Sequence, residues 1–176
     1  KDVFFINNLN NSVSEKNKKI KNLNLIISKS GNTLETISNF NIFVKKNDKN
    51  IFITENRNNY LLNLGKKLKA EIIEHKNYIG GRYSVLSEVG MLPAQLMGLN
   101  EKRFKQFDNL IKNKKFLNSL IRNVENTLFF LKKGKFTSII LNYDEGSKNI
   151  FKWYQQLIAE SLGKKSKGIL PLVSLM

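Results

Sequence analysis

The sequence predicts an α/β fold with three-layer αβα parallel sheets, in two partial units. Three observations predict it. Short apolar runs alternate with segments of helical spacing. Glycine and hydroxyl residues fall where strands hand over to helices. Ile, Leu and Phe cluster in uninterrupted strand cores such as Leu25-Ile26-Ile27 and Ile51-Phe52-Ile53, as expected of strands buried on both faces.

Taken in order, Val3–Ile6 reads as an opening strand. Residues 7–22 are polar and read as a loop and short helix. Leu23–Ile27 is a second strand. A helix follows from Thr33, with Ile37, Phe40 and Val44 at three- and four-residue spacing. Residues 50–54 form a strand, 61–68 a helix and 71–74 a short strand. This β-α-β-α-β run requires crossover helices and therefore a parallel sheet. Beyond Gly80-Gly81, residues 84–98 are helical with a break expected at Pro93. Helices are expected over 101–112 and 115–133. The latter carries Phe116, Leu117, Leu120, Ile121, Val124 and Leu128 as a core-facing stripe. A strand at 137–141, a helix at 147–162 and a strand at 169–173 complete the pattern. The organisation reads as 1–78, the end of one α/β unit; 79–100, a junction; and 101–176, the start of a second. A first strand without a preceding βα unit and a last strand without a following helix read as a segment of a longer polypeptide.

Composition removes several kinds of chemistry. The chain has 176 residues, no cysteine and one histidine, His75. Disulfides, thiolate catalysis, cysteine zinc sites and a multi-histidine metal centre lack their material. No stretch nears the roughly 18 apolar residues of a membrane span. No signal-peptide pattern opens the chain, so a cytoplasmic setting is expected. The net charge is +16, mostly from lysines spread along the whole length. Spread lysine without an aromatic-studded basic face reads as solvated surface, so neither nucleic acid nor membrane is an expected partner. A positive field also concentrates anionic small substrates.

Three motifs carry chemistry. Ser28-Lys29-Ser30-Gly31-Asn32-Thr33 joins a parallel strand to a helix start. Free N–H groups at a helix start bind anions, and Ser28, Ser30 and Thr33 add hydroxyls while Lys29 adds charge. An ordinary hydroxyl helix cap reads equally well from this stretch alone. Gly80-Gly81-Arg82-Tyr83-Ser84 is either a tight turn with a surface arginine or a close-approach site presenting a fixed guanidinium to an oxyanion. Gln156 and Glu160 lie four apart on one helix face, with Trp153 nearby. Glu160 reads as a solvated helix carboxylate or, near the negative helix end, as a general base. His75 reads as a partly buried structural histidine.

Together, the Ser28–Thr36 stretch, Gly80-Gly81-Arg82-Tyr83-Ser84 with Ser87 and Gly90, and Gln156 with Glu160-Ser161-Leu162-Gly163-Lys164 resemble the glucose-6-phosphate isomerase family. The resemblance spans nearly the whole chain. It implies sugar-isomerase (SIS) domains and the interconversion of glucose 6-phosphate and fructose 6-phosphate without cofactor or metal. It assigns phosphate binding to Ser28, Lys29, Ser30 and Thr33. Further substrate contacts fall on Gly81 and Gln156, enediolate stabilisation on Arg82 and proton transfer on Glu160. It implies a homodimer, with the ring-opening histidine and lysine beyond Met176. His75 does not match that histidine. A non-enzymatic, regulatory sugar-phosphate-binding SIS module is the alternative, sharing the loop but not needing Glu160 and Arg82 together.

Overall fold

The computed structural model describes residues 3–6, 22–165 and 167–175. It divides into two compact units, Lys1–Glu101 and Lys102–Met176.

In the first unit, β1 (Leu23–Ile27), β2 (Lys49–Thr54) and β3 (Glu71–Glu74) form a parallel sheet in that order. The helices α1 (Leu34–Phe43) and α2 (Tyr60–Lys67) make the crossovers. Register places Ile26 beside Phe52 and Phe52 beside Ile72, so these side chains share one face. Ile26, Phe52 and Leu61 are the buried cluster, and Ile37, Phe40, Leu64, Ala70 and Ile72 pack against it. The Phe40 and Phe52 rings sit 5.8 Å apart, tilted. Truncating Phe52 to alanine should cost about 3–5 kcal/mol, since the ring is fully enclosed. Gly65 packs α2 close to the sheet: an added methyl would press on Ile72 and Phe52.

Residues 79–100 lie within the first unit and are organised differently from the sequence expectation. Residues Gly81–Leu86 form a 3-10 turn, and α3 runs from Glu88 to Leu96 with Pro93 inside it. The interruption therefore falls at Ser87, not at Pro93. Ser87 caps α3 through its hydroxyl, which accepts from Val89 N at 3.4 Å. Pro93 removes only one donor from the ladder, and the chain beyond it still bonds, Met97 N to Pro93 O at 2.9 Å.

In the second unit, α4 (Phe107–Lys112) and α5 (Lys114–Lys132) precede a parallel pair, β4 (Thr137–Asn142) and β5 (Leu170–Leu175), joined by α6 (Lys148–Leu162). Asn113 caps α5 by accepting from Lys115 N and Phe116 N. Gln155 on α6 donates to the Pro171 carbonyl of β5 at 2.9 Å.

Two further expectations are corrected. Val3–Ile6 is not a strand; Phe4 and Phe5 are about three-quarters exposed. A strand is held by its ladder, and among the described residues nothing pairs with this run. The α5 stripe is not core: Leu120, Ile121, Val124 and Leu128 are each about half exposed, and no residue of α5 is buried. Helical periodicity identifies the apolar side of α5 but not whether the second unit covers it. The helix expected within 7–22 falls on residues 7–21, outside the described residues. No helix among the described residues is long and apolar enough to cross a membrane.

Candidate functional site

The loop from Ser28 to Thr33 leaves the carboxyl end of β1, the edge where open α/β sheets bind ligands. Its backbone is fastened on two sides. Ser28 N donates to Ile53 O, and Glu55 N donates to Lys29 O, which tie it to the end of β2. Leu61 N donates to Gly31 O, and Tyr60 N to Asn32 Oδ1, which tie it to the start of α2. Gly31 has φ +66°, and an added Cβ would overlap the Asn59 amide. Only glycine meets both demands.

On this scaffold three hydroxyls converge. Ser28 Oγ and Thr33 Oγ1 lie 2.7 Å apart, and Ser30 Oγ lies 3.5 Å from Thr33 Oγ1. Thr33 is the N-cap residue of α1, yet its side chain makes no cap hydrogen bond. The hydroxyl cap offered as one reading of this stretch is thus not formed. The helix start keeps its donors, and the hydroxyl faces its neighbours in the loop.

Lys29 does something the sequence did not reveal. Its Nζ donates to the carbonyls of Asn77 at 2.9 Å and Ile79 at 2.7 Å. It also pairs with the nearly buried Glu55 at 3.4 Å, which Arg57 neutralises from the other side. A buried carboxylate needs such partners. Lys29 therefore fastens the hydroxyl loop to the chain entering Gly80-Gly81-Arg82. A cleft of about 650 Å³ lies beside it, lined by Lys29, Glu55, Arg57, His75, Asn77 and Tyr78. The hydroxyl trio is not among its lining residues.

Arg82 is half-buried in the 3-10 turn, its guanidinium 5.4 Å from the centre of the Tyr83 ring. The turn is closed by Tyr83 N to Gly80 O at 2.9 Å and Ser84 Oγ to Gly81 O at 2.6 Å. A Cβ on Gly81 would meet no atom within 4 Å, so packing does not demand glycine there. Gln156 and Glu160 meet on α6 in the second unit, Gln156 Nε2 donating to Glu160 Oε1 at 3.0 Å. Both are exposed.

Residues 1–169 match the family model described as phosphoglucose isomerase. The chain belongs to the phosphoglucose isomerase family. It is 36% identical over 171 residues to glucose-6-phosphate isomerase of Methanocaldococcus jannaschii, covering 85% of this chain and 40% of that protein. It is 30% identical to glucose-6-phosphate isomerase of Campylobacter jejuni, covering 94% of this chain and 44% of that one. The chain thus spans about two-fifths of the length of these phosphoglucose isomerases. A crystal structure of a hypothetical protein from Thermus thermophilus shares the fold, with TM-score 0.72 at 22% identity, over 88% of this chain and 41% of that one.

Two supporting residues, Asn59 and Glu88, the latter the partner of His75, were not read from the sequence. Asn59 caps α2 by accepting from Leu62 N at 2.8 Å, and donates to Glu55 O and Arg57 O. An asparagine immediately before the apolar run Tyr60-Leu61-Leu62 was a legible cap signal. His75 and Glu88 join across thirteen positions, a pairing that no local pattern announces.

Proposed function

We propose that this chain supplies part of the active site of a glucose-6-phosphate isomerase, interconverting glucose 6-phosphate and fructose 6-phosphate through a cis-enediolate. The observation that carries the reading is the hydroxyl trio of Ser28, Ser30 and Thr33 at a helix start whose cap is unmade, on the carboxyl edge of a parallel sheet. Family membership of residues 1–169 supports it. The loop takes the phosphate, which takes no part in the bond changes but anchors the sugar.

In the open-chain aldose, the Glu160 carboxylate removes the proton from C2. The electron pair of that C–H bond becomes the C1–C2 double bond, and the carbonyl π pair moves onto O1. Arg82 stabilises the negative oxygen, the kind of contribution that lowers such barriers most. The proton then returns from Glu160 to C1, while a proton passes from O2 to O1, giving the ketose. The Gln156 amide, hydrogen-bonded to Glu160, orients the base. Gly81 leaves room for the sugar to approach the backbone. No cofactor enters this scheme. We also assign segment 79–100, which carries Arg82, to the active-site junction of a homodimeric cytoplasmic enzyme.

The test is a coupled assay of fructose 6-phosphate isomerisation on the full-length polypeptide. Glu160→Gln should abolish turnover while sparing substrate affinity. Ser28→Ala with Thr33→Ala should raise KM with a smaller effect on kcat. Unimpaired turnover in Glu160→Gln would remove Glu160 as the base. Saturable sugar-phosphate binding with no turnover in the parent would point to a regulatory binding module.

A further inference from the structure

The loop that carries Arg82 is held almost entirely by polar fastenings. Of residues 76–87 only Ser84 is buried, while Tyr78, Tyr83, Val85 and Leu86 are exposed. A loop with so little apolar burial is not shaped by a core, so its conformation must be imposed by specific bonds. Beyond the bonds that close the turn on itself, two sets of such bonds tie the loop to its surroundings. In the middle, Lys29 binds the carbonyls of Asn77 and Ile79. At the base, His75 Nδ1 donates to Glu88 Oε1, joining the residue just after β3 to the first turn of α3.

The environment of that basal pair is unusual. His75 is 1% exposed and the Glu88 side chain 22%. Among the described residues His75 Nε2 is buried without a hydrogen-bond partner, and Nδ1 is the ring atom that is anchored. His75 N also donates to Thr54 O at 2.8 Å, which fixes the residue's backbone to β2. The pair thus joins a rigid sheet edge to a helix start, and the Arg82 turn is strung between them.

We infer that His75 and Glu88 are positioning residues for Arg82, a clasp that sets where the guanidinium stands. The inference rests on the assignment of Arg82 to enediolate stabilisation. Misplacing such a group by about an ångström costs turnover far more than ground-state binding, because the developing charge exists only in the transition state.

The experiment uses the full-length polypeptide, with kcat and KM for fructose 6-phosphate measured for Glu88→Ala, Glu88→Gln, Arg82→Lys and Arg82→Lys combined with Glu88→Ala. Glu88→Ala should lower kcat roughly tenfold to a hundredfold with KM changed by less than about threefold. Glu88→Gln keeps an oxygen acceptor for Nδ1–H and should recover most of kcat. The Arg82→Lys, Glu88→Ala double variant should be scarcely slower than Arg82→Lys, since both changes remove the same contribution. Multiplicative losses, or an unchanged kcat in Glu88→Ala, would overturn the inference. If Arg82→Lys itself keeps full turnover, the fault lies in the assignment of Arg82. If Glu88→Ala does not fold, the comparison passes to His75→Phe with Glu88→Ala, which replaces the pair by apolar groups. A folded double variant with full kcat would then overturn the inference, and one with lowered kcat at unchanged KM would support it.

Discussion

The ammonium of Lys29 stands 2.7 Å from the carbonyl oxygen of Ile79, so the loop after β1 and the chain entering the Arg82 turn are directly joined. A lysine that would otherwise serve as one more positive charge near an anion is also a strut between two motifs far apart in sequence. The ammonium is met by two carbonyls and by Glu55, all from the first unit.

Lys29→Met keeps the aliphatic stem and removes the donor. It strands two carbonyls and leaves the nearly buried Glu55 with Arg57 alone. The expected loss of stability is about 1–3 kcal/mol, read as a lower urea midpoint at unchanged slope. Lys29→Met with Glu55→Gln should recover part of that loss, because the buried charge goes with its partner. A single variant as stable as the parent would show that the strut contributes nothing to the fold.

Gly31 and Gly81 should respond oppositely to alanine. Gly31 sits at φ +66° with the Asn59 amide where a Cβ would stand. Gly31→Ala should cost roughly 1–2 kcal/mol in backbone strain and more through displacement of the Asn59 cap of α2. Gly81 has open space at its Cβ. Gly81→Ala should unfold at the parent's denaturant midpoint, yet raise KM for the sugar phosphate in the full-length polypeptide. A Gly81→Ala variant with unchanged kinetics would remove that glycine from the substrate contacts.

How far the sequence could be read depended on how local each feature is. The order β1-α1-β2-α2-β3 followed from short uninterrupted apolar runs alternating with segments of period-3.6 spacing, because the Ile26, Phe52 and Leu61 core draws on those local patterns. The hydroxyls of Ser28, Ser30 and Thr33 were legible because strand, loop and helix cap are consecutive. Val3–Ile6 was misread because apolar β-branched composition states what a strand would be made of, not whether a partner lies beside it. Lys29 to Ile79, and His75 to Glu88, could not be read at all: each is a side-chain choice fixed by tertiary placement.

The α5 stripe gives a prediction of its own. Leu120, Ile121, Val124 and Leu128 form an exposed apolar row on the second unit. Such a row binds hydrophobic dyes and favours association. The isolated 176-residue polypeptide should therefore enhance anilinonaphthalene sulfonate fluorescence, and Leu120→Lys with Val124→Lys should reduce that signal without lowering the unfolding midpoint. A large loss of stability in the lysine variant would mean that the row is packed after all.

Acid should release the His75–Glu88 clasp. Burial by itself raises the Glu88 carboxyl, but the hydrogen bond and charge of His75, with the backbone N–H groups of Glu88 and Lys76, outweigh it and hold the group below its ordinary value. A carboxyl whose folded value is depressed adds stability above its unfolded value, near 4.5, and loses it as pH falls through the folded value. The parent should therefore lose stability more steeply than Glu88→Gln as pH falls from about 5 to 3. Asp48 is also held low, against burial, by hydrogen bonds from Lys45, Asn22 and Asn24 and the charge of Lys45, so its contribution too is lost as pH falls. Asp48→Asn is the control that separates the two carboxyls. Urea midpoints across that range decide the matter: parallel curves for parent and Glu88→Gln would mean that the pair does not stabilise the fold through its charge.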